Sequence, residues 1–248
     1  LMERVSGTIL RGAEPPRGLA DDELGAARLS GTFVSTLVEI HGIDTESAEL
    51  SELGRPEGYV ERQVSGWTER YARARTDVIP AVDRVAAWLD ANRPSESGAA
   101  VIHNDYKYDN IVLDPRRPGR VVAVLDWEMA TVGDPLMDLG TSLAYWVDAE
   151  DLPQLCAFAF GPTALPGGLD REGVVAAYRE ATGRAVDDPV FYFVYGLFKV
   201  AVVAQQIYQR FASGLTSDPR FGAMIMGVHV LTEVAERAIE RGRISRIG

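Results

Sequence analysis

VIHNDYKYDNIVLDPRRPGRVVAVLDWEMATVGDPLMD, residues 101–138, is the stretch around which the 248-residue chain is arranged. Ile111-Val112-Leu113 and Val121 to Leu125 are short β-branched runs, and Asp114-Pro115 with Pro118-Gly119 between them carries hairpin turn chemistry. A first strand ends before a polar loop, so the order reads strand, loop, strand, tight turn, strand. Two carboxylates and a carboxamide then sit on adjacent strand ends: Asp105 and Asn110 flank the loop, and Asp126 follows the last strand.

Oxygen ligands gathered in this way suit Mg²⁺, which takes one or two protein groups and leaves its other positions to water and phosphate. A phosphoryl-transfer site asks for little more: one carboxylate for the proton of the attacking hydroxyl, and an Asn and a second Asp for the metal. The spacing His103-x-Asp105-x-x-x-x-Asn110 matches the H-x-D-x-x-x-x-N of kinase catalytic loops, and Asp126-Trp127-Glu128 falls where their metal-binding Asp follows.

With IHNDYKYDN at 102–110, LDWE at 125–128 and GDPLMDL at 133–139, the chain resembles the aminoglycoside-phosphotransferase-like small-molecule kinases, which include choline kinases and share the protein-kinase fold. Glycine is commoner in that family where Asn104 stands. LGRPEGYVERQVSGWTERY at 53–71 is similar to the subgroup also found fused to acyl-CoA dehydrogenases. The resemblance implies an α+β, protein-kinase-like fold: a mainly helical C-lobe over 1–248 with a short β-hairpin at the catalytic segment 101–138 and a hinge segment at 1–8. It implies Asp105 as catalytic base, Asn110 and Asp126 as metal ligands, and His103 and Asp138 as supports of the loop, with the Asp138 carboxylate bracing its backbone. Lys107, two residues past Asp105, would meet the transferring phosphate. Backbone groups near Glu3 and Val5 would hold adenine. Neither of the chain's lysines, Lys107 and Lys199, precedes the hinge, and no glycine-rich loop does, so the N-lobe is expected to lie outside this sequence.

Composition narrows the remaining classes. A formal charge of −11 disfavours a nucleic-acid backbone or an anionic membrane as partner, and one cysteine, Cys156, rules out an internal disulfide framework. A cytoplasmic protein is expected. The apolar run Val190 to Ala204 is interrupted by Lys199 and is shorter than the ~20 residues of a membrane span, so it reads as a buried helix. LMERVSGTI lacks the basic and apolar regions of a signal peptide.

Elsewhere, helical spacing predicts a helix capped by Asp21 and buried through Leu24, Leu29, Phe33, Leu37 and Ile40, with His41-Gly42 as its C-terminal cap. Helices are expected over Glu57 to Arg75 and Val78 to Ala91, their alternating Glu and Arg forming a solvated face. Gly133-Asp134-Pro135 starts another, Pro153 to Gly168 wraps the lobe, and Asp170 to Thr182, Pro189 to Ala212 and Pro219 to Arg241 complete the set. Tyr106 and Tyr108 read as packing residues.

These features point to an ATP- and Mg²⁺-dependent kinase acting on a small-molecule hydroxyl, with its own N-lobe as partner. Aminoglycosides, choline-like amines, sugars and hydroxyacyl-CoA are acceptors across the resembled family, and the 53–71 stretch tilts toward a metabolic hydroxyacyl substrate. The competing readings are a catalytically silent kinase-like binding module and a Mg²⁺-dependent hydrolase.

Overall fold

The computed structural model describes residues 4–46, 49–117 and 119–248. Strand β1 (Thr8–Ile9) leads into helix α1 (Glu23–His41), followed by α2 (Tyr59–Ala74) and α3 (Pro80–Ala91). The central stretch supplies β2 (Ala100–Ile102), β3 (Ile111–Leu113), β4 (Val121–Val124) and β5 (Thr131–Gly133). The rest is helical: α4 (Pro135–Ala144), α5 (Pro153–Cys156), α6 (Arg171–Thr182), α7 (Pro189–Ala212), α8 (Pro219–Gly222) and α9 (Met224–Arg241).

Two small antiparallel sheets frame the catalytic segment. β3 pairs with β4 in the expected hairpin, with Ile111 opposite Val124, and β1 joins the other edge of β3. β2 pairs with β5, Ala100 opposite Gly133, a ribbon that sequence periodicity did not reveal because each strand has only three residues. The loop from 103 to 110 is thereby clamped between two pairs of strands.

Helix α7 is the axis of the helical body, packed against α2, α4 and α9. At 24 residues it is long and apolar enough to cross a membrane, yet 83% of its most apolar window is buried inside the protein, the environment of a core helix. Its contact with α4 is backbone to backbone. A Cβ on Gly140 would lie 2.1 Å from the Tyr192 carbonyl oxygen, and one on Gly196 would lie 2.1 Å from that of Gly140, so only glycines permit this approach.

Several local expectations change. The N-cap of α1 is Asp22, whose side chain accepts from Gly25 N–H, while Asp21 instead closes the preceding turn through Gly18 N–H. Leu24, in the first turn, is 74% exposed because the buried stripe begins at Ala26. The last predicted helix is broken into α8 and α9 at Ala223, with Gly222 drawn against the Phe211 ring. Pro80, at the first helical position, starts α3 two residues later than expected.

Candidate active site

From Asp105 to Asn110 the chain alternates: Asp105, Lys107 and Asp109 are half-buried, while Tyr106, Tyr108 and Asn110 are buried. The inward tyrosines fasten the loop to α1. Tyr106 Oη donates to the Phe33 carbonyl at 2.9 Å and Tyr108 Oη to that of Leu29 at 3.3 Å, and both rings pack on Phe33, with centroids at 4.5 and 4.9 Å. That anchoring turns Asp105 and Lys107 outward.

The Asp105 carboxylate is held from both sides. Oδ1 accepts from the Tyr145 hydroxyl at 2.8 Å, and Oδ2 accepts from Asn110 Nδ2 at 3.1 Å and from Lys107 Nζ. Burial, then the neighbouring Asp105 charge, pushes the Tyr145 phenol far above its usual range, so it stays a hydrogen-bond donor. Lys107 Nζ also sits 4.7 Å from the centroid of the Tyr145 ring.

His103 is buried and spans the segment: Nε2 donates to the Leu125 carbonyl at 2.8 Å, and Nδ1 accepts from the Asp105 backbone N–H at 3.2 Å. The ring therefore ties the start of the loop to the residue before Asp126. Asn110 approaches from the other direction, since its carbonyl accepts from Leu125 N–H at 2.8 Å. Its Nδ2 is committed to the Asp105 carbonyl and carboxylate, leaving the side-chain Oδ1 as an acceptor. Asp126 is exposed in the left-handed region, φ 66° and ψ 53°, a conformation Asp tolerates better than most residues. Among the described residues no donor bonds its carboxylate, and no three His, Cys, Asp or Glu side chains gather closely enough to hold a metal alone. An amide oxygen and a free carboxylate on adjoining chain segments nonetheless fit a hard cation that draws most of its ligands from phosphate and water.

Asp138, fully buried on α4, accepts from His103 N–H at 2.8 Å, Asn104 N–H at 2.7 Å and His41 Nε2 at 3.2 Å. Burial alone would raise its carboxyl, but the His41 hydrogen bond and charge, the His103 N–H and nearby Lys199 outweigh it and hold the group below the ordinary range. His41 is thus not a helix cap. It reaches inward, with Nδ1 2.8 Å from the Tyr178 hydroxyl, because α1 packs on α6 and its last turn brings the ring to Asp138 of α4. Its apolar surroundings were the available signal.

Lys199 and Asn104 make contacts that sequence reasoning did not assign. Lys199, the lone charge in an apolar run, is buried and donates to the Asn104 carbonyl at 2.6 Å. Burial lowers its pKa to about 8, partly offset by the charges of Asp138 and Asp105. Asn104 itself has φ 66°, the left-handed conformation that explains why glycine suits this position. The asparagine adds contacts glycine cannot, to Met129 O at 3.0 Å and from Tyr59 Oη at 3.2 Å.

Val5 is exposed, ahead of β1, and Glu3 lies outside the described residues. A cleft of about 360 Å³ opens beside Asn104, and a smaller apolar hollow of about 80 Å³ lies beneath Tyr145 and Phe160.

The model of the phosphotransferase enzyme family matches residues 1–184 of the chain. The chain belongs to that family. Acyl-CoA dehydrogenase family member 11 of Mus musculus is 35% identical to this phosphotransferase-family chain over 223 residues, covering 88% of it and 28% of the relative. Acyl-CoA dehydrogenase family member 10 of Mus musculus is 32% identical over 225 residues, 88% of the chain and 20% of the relative. The chain therefore spans less than a third of these curated relatives. Among solved structures, a "putative aminoglycoside phosphotransferase" from Ralstonia eutropha superposes with a TM-score of 0.83 at 29% identity, over 97% of this chain and 72% of that one. A choline/ethanolamine kinase family protein from Mesorhizobium loti superposes with a TM-score of 0.58 at 16% identity, over 98% and 73%, a likeness of fold alone. The chain thus has the α+β, protein-kinase-like architecture.

Proposed function

We propose that the chain is the catalytic lobe of an ATP-dependent kinase that phosphorylates a hydroxyl of a small molecule. The observation that carries this reading is the Asp105 carboxylate, oriented by Tyr145, Asn110 and Lys107 at the half-exposed mouth of a loop whose backbone is pinned by Asp138. A carboxylate so held is pre-aimed at an acceptor hydroxyl.

In the proposed reaction the acceptor oxygen attacks the γ-phosphorus, its bond to phosphorus forms as the bond to ADP breaks, and the hydroxyl proton passes to Asp105. Lys107 leaves Oδ2 free for that hydroxyl by shifting its ammonium toward the phosphoryl oxygens, where it offsets developing charge. Asn110 Oδ1 and Asp126 are the residues that would hold Mg²⁺, which supplies charge neutralisation of the phosphates when bound. Backbone near Glu3 and Val5 would meet the adenine, and a preceding β-rich lobe would bring the phosphate-gripping lysine. We place the protein in the cytoplasm, where ATP is supplied.

ADP formation by the intact protein, measured with and without a panel of alcohols, tests the reading. Alcohol-dependent ADP formation is expected, abolished in Asp105→Asn and in Asp126→Ala. Wild-type rates in Asp126→Ala remove that residue from the metal site, and ADP release equal with and without alcohol replaces the kinase by a hydrolase.

A further inference from the structure

The stretch 53–71 and the helix it enters present one feature that phosphoryl transfer by itself does not require. Tyr59, Arg62, Gln63, Trp67 and Arg70 recur at helical spacing along one face of α2, and that face, with Arg55, walls the 360 Å³ cleft. The opposite wall is Asn104, the residue before Asp105, together with Lys199. On sequence alone the alternating Glu and Arg of this helix read as a solvated face, and they are exposed in the structure. Their partners differ. Glu61 turns to Arg93 at 3.6 Å and Glu69 to Arg73 at 3.8 Å, whereas among the described residues no carboxylate pairs with Arg55, Arg62 or Arg70.

The arginines are also arranged. Arg62 donates to the backbone carbonyls of Arg55 and Glu57, which fixes its guanidinium at the cleft, and the Arg70 guanidinium lies 4.7 Å over the centroid of the buried Trp67 ring. Each guanidinium has five N–H donors in a planar fork, so donors remain to grip a carboxylate or phosphate. In a chain of net charge −11, three arginines and a buried lysine around one hollow run against the prevailing field, and among the described residues no carboxylate pairs with those arginines or lines that hollow.

We propose that this cleft binds an anionic group, a carboxylate or a phosphate, carried by the acceptor alcohol, so that the molecule phosphorylated is an anion. The proposal rests on the kinase reading above. It places the anion against Arg62 and Arg70, with the acceptor hydroxyl reaching past Asn104 toward Asp105.

The test is equilibrium binding to the intact protein without nucleotide, by calorimetry. The probes are 3-hydroxybutyrate and glycerol 3-phosphate as carboxylate and phosphate arms, with 1,3-butanediol and choline as neutral and cationic controls. At least one anion is expected to bind about ten-fold or more tightly than both controls, and Arg62→Gln with Arg70→Gln to erase that margin. Arg73→Gln, on the same helix but paired with Glu69, should change affinity by less than about two-fold, the surface-pair scale. The preference should also shrink as salt is raised. Whichever anion binds more tightly identifies the group.

Equal binding of a control, or unchanged anion affinity in the double variant, overturns the proposal. So does a loss confined to ATP affinity, titrated separately in the double variant, which would assign the arginines to the nucleotide. The kinase reading is judged separately: ADP formation with choline alone leaves the enzyme standing and sinks the anionic acceptor, while anion binding without ADP formation from any alcohol removes the enzyme, and with it the acceptor role, and leaves only an anion-binding cleft.

Discussion

Tyr145 shows how much of the site hangs on single hydrogen bonds. Its hydroxyl is bonded to Asp105 Oδ1 and its ring carries Lys107. Tyr145→Phe keeps the ring and removes the donor. Hydrogen bonds to charged groups contribute about 1.5–3 kcal/mol, so kcat is expected to fall roughly ten-fold or more, with nucleotide KM unchanged. Steady-state kinetics checks this. A KM effect without a kcat effect would move Tyr145 to acceptor binding.

Asp138 makes a different prediction, about pH. Its folded-state carboxyl titrates below the ordinary range, so its contribution to stability is complete above the unfolded value of about 4 and is lost as pH falls through the lower folded value. Asp138→Asn cannot lose what depends on that charge. Urea unfolding of both proteins from pH 6 to pH 3 should show a gap that narrows below about pH 4. At neutral pH the variant leaves buried N–H donors of the loop poorly paired, at a cost of about 1–3 kcal/mol for each. A gap that stays constant with pH would mean Asp138 acts by shape alone.

At the scale of elements, the crossing of α4 on α7 explains why the catalytic loop is backed by something rigid. Gly140 and Gly196 bring the backbone of α7 directly against that of α4, the helix that carries Asp138. Gly140→Ala puts a methyl group against a backbone carbonyl that no rotamer change can move, and should destabilise by about 1–3 kcal/mol. Gly31, exposed on α1 with nothing near its would-be Cβ, is the contrast. Gly31→Ala should stabilise by about 0.5–1 kcal/mol, the ordinary helix-propensity gain. Thermal unfolding of the pair distinguishes close packing from propensity, and loss of stability in both would show that the crossing is not special.

Across the whole molecule, the ends of the helical body are joined by a buried ionic cluster. Arg171, fully buried at the start of α6, pairs with Asp148 at 3.3 Å and with Asp151, and donates to the Trp146 carbonyl at 2.7 Å and the Ile244 carbonyl at 3.0 Å. Ser245 completes the cluster on Asp148 at 2.7 Å. Burial pushes the Asp148 carboxyl up, against the pull of Arg171. Arg171→Met would strand two carboxylates and release the C-terminal segment, at about 3–5 kcal/mol. Denaturant unfolding measures the loss, and a change under about 1 kcal/mol would show that water reaches the cluster.

Local chemistry in the chain was enough to establish the hairpin of β3 and β4, the start of α4 at Asp134-Pro135, most helices within a residue or two, and the grouping of His103, Asp105 and Asn110 in one loop, while the family resemblance added Asp138 as its support. These are short-range matters of turn residues, periodicity and spacing, and 101–138 carries the hairpin, the loop residues and the start of α4 within 38 consecutive positions. Only the tertiary structure decided what His41, Lys199, Tyr145 and the arginines of α2 do. Their partners lie at large sequence separation: Lys199 meets Asn104 across 95 positions and His41 meets Asp138 across 97. Whether a buried charge is a defect or a brace, and whether a charged helix face meets water or a cleft, depends on what the rest of the chain folds against it. Periodicity within one helix contains no term for that.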